Sequence, residues 1–482
     1  MKLNLKSAVL IALLMGSASV FTASIPDEGM FPLSELSRAG LKKAGLKINE
    51  KDIYNPGQIG LVDALVQVSG CSGSFVSPNG LIITNHHCAF SAVQLASTPA
   101  NNYLENGFVA NSQEKEIEAK GLTIRITDSY EDVSTRILNA VANISDPIER
   151  INTITKLRQD IAREAEAKDP SIKAEVSEMF IGKSYVLFRY KTIEDVRLVY
   201  IPRQDIGEFG GETDNWVWPR HTGDFSFLRA YVAPDGKPAK YSKDNVPYQP
   251  KKHLKVNPKG VEENDFVFIL GYPGRTFRHR PAQFIAYQQQ FLLPYVSELY
   301  DFQNQQMALA GKNDKATELA LATRIKRNAN VMKNYRGKLK GLRNIDLIGT
   351  KKKEDQELAN FINSKPELKL KYGNLMQDID AHYQLVFSDA LRELWFNNLY
   401  TGIRTMHVAS LINSFKKAVA NHKSDSERQQ FFDLNIANVK KQLDAVYESY
   451  NATADKAIAA RMFADAMALT GDHRIQTIQK KN

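Results

Sequence analysis

The strand-like pattern stops for good at about residue 280, and that change divides the chain. Before it, short runs rich in β-branched and aromatic residues alternate with glycine and proline turns: VSPNGLIIT (76–84), GLTIRIT (121–127), SYVLFRYK (184–191), DVRLVYIP (195–202), FSFLRAYVAPDG (225–236) and DFVFILGYPG (265–274). Asn79-Gly80 between apolar flanks predicts a hairpin. After residue 280, Phe284, Tyr287, Phe291, Tyr295, Leu299 and Phe302 recur at three and four, which is a helical face. Pro294 inside it predicts a kink or a restart. Ile379, Tyr383, Val386, Ala390 and Leu394 make a second face; Ile436, Val439, Leu443 and Tyr447 make a third. The fold class is therefore α+β, with about 250 β-rich residues followed by about 200 helical ones. Inside the β-rich part, residues 34–48 have amphipathic helical spacing. Residues 131–182 are charged and helical, with Pro147 and Pro170 as breaks.

The 482 residues suffice for two or more domains with cores of their own. The start is unlike the rest. MKLNLK is basic, and SAVLIALLMG is apolar but too short to span a bilayer. Thr22 and Ser24 put small residues three before and one before a cleavage point. Residues 1–24 thus read as a secretory signal peptide rather than an anchor. In an exported protein an even cysteine count suggests a disulfide, and two cysteines allow only Cys71 with Cys88. The formal charge is +9, with basic residues gathered in RIKRNANVMKNYRGKLKGLRN (324–344) and KKK (351–353). An exported protein rarely meets nucleic acid and this stretch has helical spacing. A solvated helical face, or a surface that attracts acidic groups, is expected, with no nucleic-acid partner.

LIITNHHCAF (81–90) places two histidines beside a cysteine. Read as a strand, His86 and His87 point to opposite faces and cannot share one ion. The chain has no HExxH, no HxH and no cysteine pair at zinc spacing, so no metal and no cofactor are expected. A histidine stapled to a strand one hairpin earlier is a rigid mount for a general base. The plainer alternative is a structural histidine filling a turn, and these residues alone leave both open.

GCSGSFVSPNGLIITNHHC (70–88) resembles the stretch of chymotrypsin-fold serine peptidases that runs from a first cysteine through a hairpin to a catalytic histidine–cysteine pair. TDNWVWPRHTGDFSFLRAY (213–231), together with TNHHC, resembles the S46 family of bacterial dipeptidyl peptidases. These are exported serine exopeptidases that release dipeptides from the N-termini of oligopeptides. DEGMF (27–31), YNP (54–56), YLENGFVA (103–110), DVRLV (195–199) and GYPGRTFR (271–278) resemble the family in the same order. The likeness runs from about residue 27 to about 345, and more loosely through the helices.

The resemblance implies a chymotrypsin-like double β-barrel, its second barrel incomplete here, with a large inserted all-helical domain. Residues 25–280 would be the barrel domain, with an N-terminal helix and a helical insertion at 131–182. Residues 281–482 would be a truncated helical cap. His87 would be the general base and Asp224 the carboxylate that orients it, next to the Cys71–Cys88 disulfide. Asn215, Trp216 and Asn330 would hold the substrate's N-terminus. An α-ammonium only donates, so an asparagine carbonyl suits it, and a wall there stops longer chains from threading through. Trp218 is expected to be a core aromatic.

The nucleophile of this class sits in a Gly-x-Ser-Gly turn after the aspartate, and no such turn follows Asp224. The only one, Gly70-Cys71-Ser72-Gly73, precedes His87. The resemblance places the serine beyond residue 482 and makes DFVFILGYPG the opening strand of the second barrel, with an unpaired edge. The expected activity is that of a serine-type dipeptidyl peptidase, represented here by a fragment without its nucleophile. The alternative is a catalytically inactive periplasmic peptide-binding paralogue. The expected partners are oligopeptides with a free N-terminus, and no transmembrane segment is expected after the signal. The expected location is the periplasm, free or held at a cell surface. The oligomeric state stays open, a homodimer among the alternatives.

Overall fold

The computed structural model describes residues 30–479 apart from 56, 99, 275, 276 and 278. The signal-peptide segment lies outside the described residues. The chain divides into two compact units. One comprises Met1–Phe209 and His221–Arg278, the other Gly210–Arg220 and His279–Asn482.

The first unit is built on one antiparallel sheet. Its strands are β1 (Leu65–Val68), β2 (Cys71–Phe75), β3 (Leu81–Thr84), β4 (Phe108–Val109), β5 (Ile117–Glu118), β6 (Ile124–Asp132), β7 (Ile172–Phe180), β8 (Ser184–Ile193), β9 (Asp195–Ile201), β10 (Ser226–Val232) and β11 (Val246–Pro247). The order is β4-β9-β10-β3-β2-β1-β6-β8-β7, with β11 on β10 and β5 on β9. Only Glu194 separates β8 from β9, so the hydrogen-bonded path from β9 round to β8 returns to the same stretch of chain.

The β2–β3 hairpin turns where Asn79-Gly80 predicted it. Gly80 has φ +68, and a Cβ there would lie 2.8 Å from the carbonyl oxygens of Ala230 and Tyr248, so only glycine fits. Val66, Val68, Phe75, Ile82, Ile124, Ile193, Val196, Leu198 and Leu228 alternate inward to make the core. Each such side chain contributes about 1.5–3 kcal/mol of hydrophobic stabilisation. Helix α1 (His86–Ala96) closes the core with Ala89, Ala92 and Val93, a stripe at helical spacing.

Three local readings differ from the structure. Residues 34–48 form a 3-10 turn, Leu33–Arg38, and a short helix, Leu41–Ala44, rather than one helix. Gly40 and Gly45, at φ +61 and +117, break the run. Residues 131–182 contain α2 (Pro147–Lys168), started by Pro147 and capped by the Asp146 side chain, but they also contain strand β7. Ile172, Ala174 and Val176 alternate there, and Ile172 and Val176 are buried. Ile161 and Ala165 of α2 pack on Val176, Tyr185 and Leu187. Residues 265–274 form no strand. A strand needs a hydrogen-bonding neighbour, and none of the described residues supplies one. The Tyr272 N–H instead donates to Ser72 Oγ at 2.7 Å, and its hydroxyl meets Thr127 Oγ1 at 2.9 Å.

The second unit is helical. Its long helices are α3 (Leu293–Gly311), α4 (Lys315–Asn344), α5 (Leu347–Ser364), α6 (Leu375–Gly402), α7 (Arg404–Ala420), α8 (Asp425–Tyr447) and α9 (Ala452–Met467). Pro294 lies at the start of α3, directly after a π-helical turn at Gln288–Leu292. The wider turn accommodates the N–H that proline lacks, so the helix restarts where the sequence suggested. Leu299, Trp395, Leu399, Ile403, Ile458 and Met462 form the main core. No described helix is long and apolar enough to cross a membrane.

Candidate active site

Antiparallel pairing sets up the first half of the site. Ser226 of β10 lies opposite Thr84 of β3, so the residues just outside those two positions, Asp224 and Asn85–His87, meet at one end of the sheet. The histidines do not continue the strand. Asn85 is the N-cap of α1, and His86 and His87 are its first two residues. The expectation of a strand with opposed side chains is thereby corrected. Successive helical side chains differ by about 100°, which separates the pair as effectively.

His86 falls in register with Ala89 and Val93 and is buried, with its ring against Gly207 and edge-on to Phe90. His87 falls off that stripe, and its side chain is 63% exposed.

Asp224 holds His87 twice. Its Oδ2 lies 2.7 Å from His87 Nδ1, and its Oδ1 accepts the His87 backbone N–H at 3.0 Å. That N–H is one of the orphan donors at a helix start, so the carboxylate also caps α1. Asn85 does not cap with its own side chain. Its amide donates to Asp224 Oδ2 at 3.2 Å, holding the carboxylate in place. Burial raises the Asp224 carboxyl, but hydrogen bonds from the His87 ring and backbone and from Asn85 outweigh it. The group is held below the ordinary carboxylate range. An ionised carboxylate only accepts, so Nδ1 carries the proton and Nε2 of neutral His87 keeps its lone pair. That is the state a general base requires.

Cys71 and Cys88 form the expected disulfide, tying the start of β2 to the residue after His87. Both sulfurs and a ring nitrogen of His87 lie within 4.8 Å of one another, but sulfurs joined to each other are not thiolate ligands. Ser72 is placed by its bond to Tyr272, and its backbone carbonyl accepts the Thr84 hydroxyl at 3.0 Å.

The second cluster lies within the helical unit. Gly210–Arg220 belongs to that unit and carries Asn215 and Trp216. Asn330 Oδ1 accepts from Asn215 Nδ2 and from Trp216 Nε1, each at 3.0 Å. Arg220 donates to Asn215 Oδ1 at 3.1 Å. Both lone pairs of Asn330 Oδ1 are therefore engaged, while Asn215 Oδ1 can accept once more. Trp216 has φ +62, costly for a bulky residue and sustained by its ring N–H bond. Trp218 is 92% exposed, which overturns the reading of it as a core aromatic. Its loop passes over the surface and offers it no apolar enclosure.

Two residues at the dyad escaped the sequence reading. Asn85 was visible as an N-cap type before a helix, had the helix been recognised. Gly207 left no local signal: its contact with His86 joins residues 121 apart in the chain.

The family model described as Peptidase S46 matches residues 26–481, and the chain belongs to that family. Among curated relatives, it is 35% identical over 453 residues to the dipeptidyl-peptidase 7 of Capnocytophaga gingivalis, covering 92% of this chain and 62% of that one. It is 33% identical over 437 residues to the Asp/Glu-specific dipeptidyl-peptidase of Flavobacterium psychrophilum, covering 90% and 60%. A crystal structure of Porphyromonas endodontalis DPP11 in complex with the dipeptide Arg-Glu superposes with a TM-score of 0.73 at 28% identity, covering 90% of this chain and 63% of that one. The chain thus spans less than two thirds of the length of these relatives.

Proposed function

We propose that these residues belong to a serine-type dipeptidyl peptidase that removes dipeptides from the free N-termini of oligopeptides. The observation that carries this reading is the 2.7 Å contact between His87 Nδ1 and Asp224, which fixes the ring and puts the proton on Nδ1, so that Nε2 is the basic nitrogen. In the proposed reaction, His87 Nε2 takes the proton of a serine hydroxyl as its oxygen attacks the scissile carbonyl. The base then returns the proton to the leaving amine, and water hydrolyses the acyl-enzyme. Asp224 keeps the imidazolium oriented and compensates its charge. The serine would come from a chymotrypsin-like second barrel, as the resemblance implies. Asn215 Oδ1 receives the substrate ammonium, with Asn330 and Trp216 fixing its position. One relative is named only as a dipeptidyl-peptidase and another as Asp/Glu-specific, so a preference for acidic side chains and one for other side chains are both candidates. The proposed location is the periplasm.

The test is expression from the source gene, including the sequence that follows codon 482. Dipeptides should accumulate from a decapeptide with a free N-terminus and not from its acetylated twin. His87→Ala should lower kcat by several orders of magnitude, and His86→Ala far less. Greater damage from His86→Ala would reverse the assignment of the base. The alternative is a periplasmic protein that binds peptides without cutting them. Binding of the free peptide without release of any dipeptide would establish that reading instead.

A further inference from the structure

The elbow between α6 and α7 brings two buried guanidinium groups together around a single carboxylate. Helix α6 ends at Gly402 and α7 begins at Arg404, joined by the buried Ile403. A helix end leaves carbonyls without partners, and a helix start leaves N–H groups. Here a cation serves the first and an anion the second, as the helix dipoles favour. Arg324 of α4 donates from Nη2 to the Gly402 carbonyl at 2.5 Å, with the Thr401 carbonyl at 3.5 Å. Asp455 of α9 accepts the backbone N–H groups of Arg404 and Thr405, at 2.6 and 3.2 Å, and the Thr405 hydroxyl.

This arrangement engages the oxygens of Asp455 at the start of α7, through the Arg404 and Thr405 backbone N–H groups and the Thr405 hydroxyl rather than the Arg404 guanidinium. Arg324 is 4% exposed, Arg404 is 9% exposed and Asp455 is 4% exposed, so two buried positive charges face one buried negative charge. Arg327, one turn from Arg324 on α4 and exposed, adds to the positive field. Burial and the neighbouring Arg404 push the Arg324 guanidinium down to about 10.

Unused buried nitrogens gather at the same place. Arg324 Nε, Arg404 Nε, His407 Nδ1 and Gln303 Nε2 have no hydrogen-bond partner. Gln303 is 1% exposed, and its Nε2 lies 3.1 Å from where a Cβ on Gly402 would stand, so it belongs to the elbow. His407 lies one turn beyond Arg404 on α7. An unpaired buried donor costs free energy, and an unpaired buried charge costs far more.

We propose that this elbow is a binding site for a small monovalent anion of the halide class, held by Arg324, Arg404 and Gln303 with Arg327 at its mouth. One negative charge closes the charge balance of Arg324, Arg404 and Asp455. Single N–H donors from separate side chains suit a spherical acceptor. The site lies wholly within the helical unit and does not depend on the proposed peptidase activity.

The test is thermal unfolding of the 482-residue chain at constant ionic strength, with gluconate replaced stepwise by chloride. The Tm should rise and level off as a single site fills. Arg404→Gln, which keeps the backbone N–H that Asp455 receives, should abolish the saturable rise. Crystals soaked in bromide give a second measurement that needs no variant. An anomalous peak among Arg324, Arg404 and Gln303 is the expected result. A Tm insensitive to chloride, a rise unchanged by Arg404→Gln, saturation by phosphate but not chloride, or bromide peaks only elsewhere would each overturn the proposal.

Discussion

The carboxylate of Asp224 takes both the ring of His87 and the backbone N–H at the start of His87's helix, so its loss removes an orienting group and a cap together. In the active enzyme Asp224→Asn should lower kcat by about 10³–10⁴-fold, because the wrong tautomer of His87 becomes available. The same group makes stability depend on pH. Its folded value lies below its unfolded one. It therefore stabilises the fold at pH above about 4, and that contribution fades as pH falls through the lowered folded value. The stability difference between wild type and Asp224→Asn, followed by chemical denaturation, should narrow on acidification. A difference that stays constant down to pH of about 2 would show that the pairing does not act in the folded state. His87 and Asp224, and Asn215, Trp216 and Asn330, could be singled out because each sits in a long motif with a recognisable likeness, and the members of each set lie in contact. The second role of Asp224 was not readable, since it depends on a helix starting at His86 where the apolar run LIIT suggested continuing strand.

Elements joined by short connections were the easiest to foresee. The β2–β3 hairpin and strands β8, β9 and β10 lie where alternation and turn residues put them. Strand β7 was obscured because its charged outer face, with Lys173 and Glu175, follows directly on a charged helix. The half-exposed edge hides a period of two inside a polar stretch. Packing between distant elements had no such signature. A Cβ on Gly207 would stand 2.6 Å from Cγ of His86, in a site with no room to yield. Gly207→Ala should destabilise the first unit by about 1–3 kcal/mol through overpacking. It should also lower activity, because His86 and His87 begin the same helix. A variant with unchanged Tm and unchanged kcat would show that the His86 ring moves aside freely.

Across the whole molecule, the β-rich and helical halves were apparent from the point at which the strand-like pattern stops for good. The grouping of residues 210–220 with the helical unit was not, because it rests on the contacts of a loop rather than on any pattern within it. The apolar run at 265–274 shows why a strand cannot be inferred from composition alone. Val267 is 63% exposed and Ile269 is 97% exposed, and neither lies in a ladder. Exposed apolar backbone of this kind promotes association. The 482-residue chain should bind a hydrophobic dye, and the paired change Val267→Thr and Ile269→Lys should reduce both dye binding and aggregation measured by light scattering. If neither responds, the segment is covered in solution.

The reading of an N-terminus-directed site can be put to calorimetry on this chain, because binding is measured there without turnover. A tetrapeptide with a free N-terminus would be titrated alongside its acetylated twin, into wild type and into Asn330→Ala. The ammonium contact predicts binding of the free peptide, weakened at least about tenfold, or about 1.4 kcal/mol, by acetylation and by Asn330→Ala. Equal binding of the two peptides would contradict the assignment of Asn215, Trp216 and Asn330 to the substrate's N-terminus.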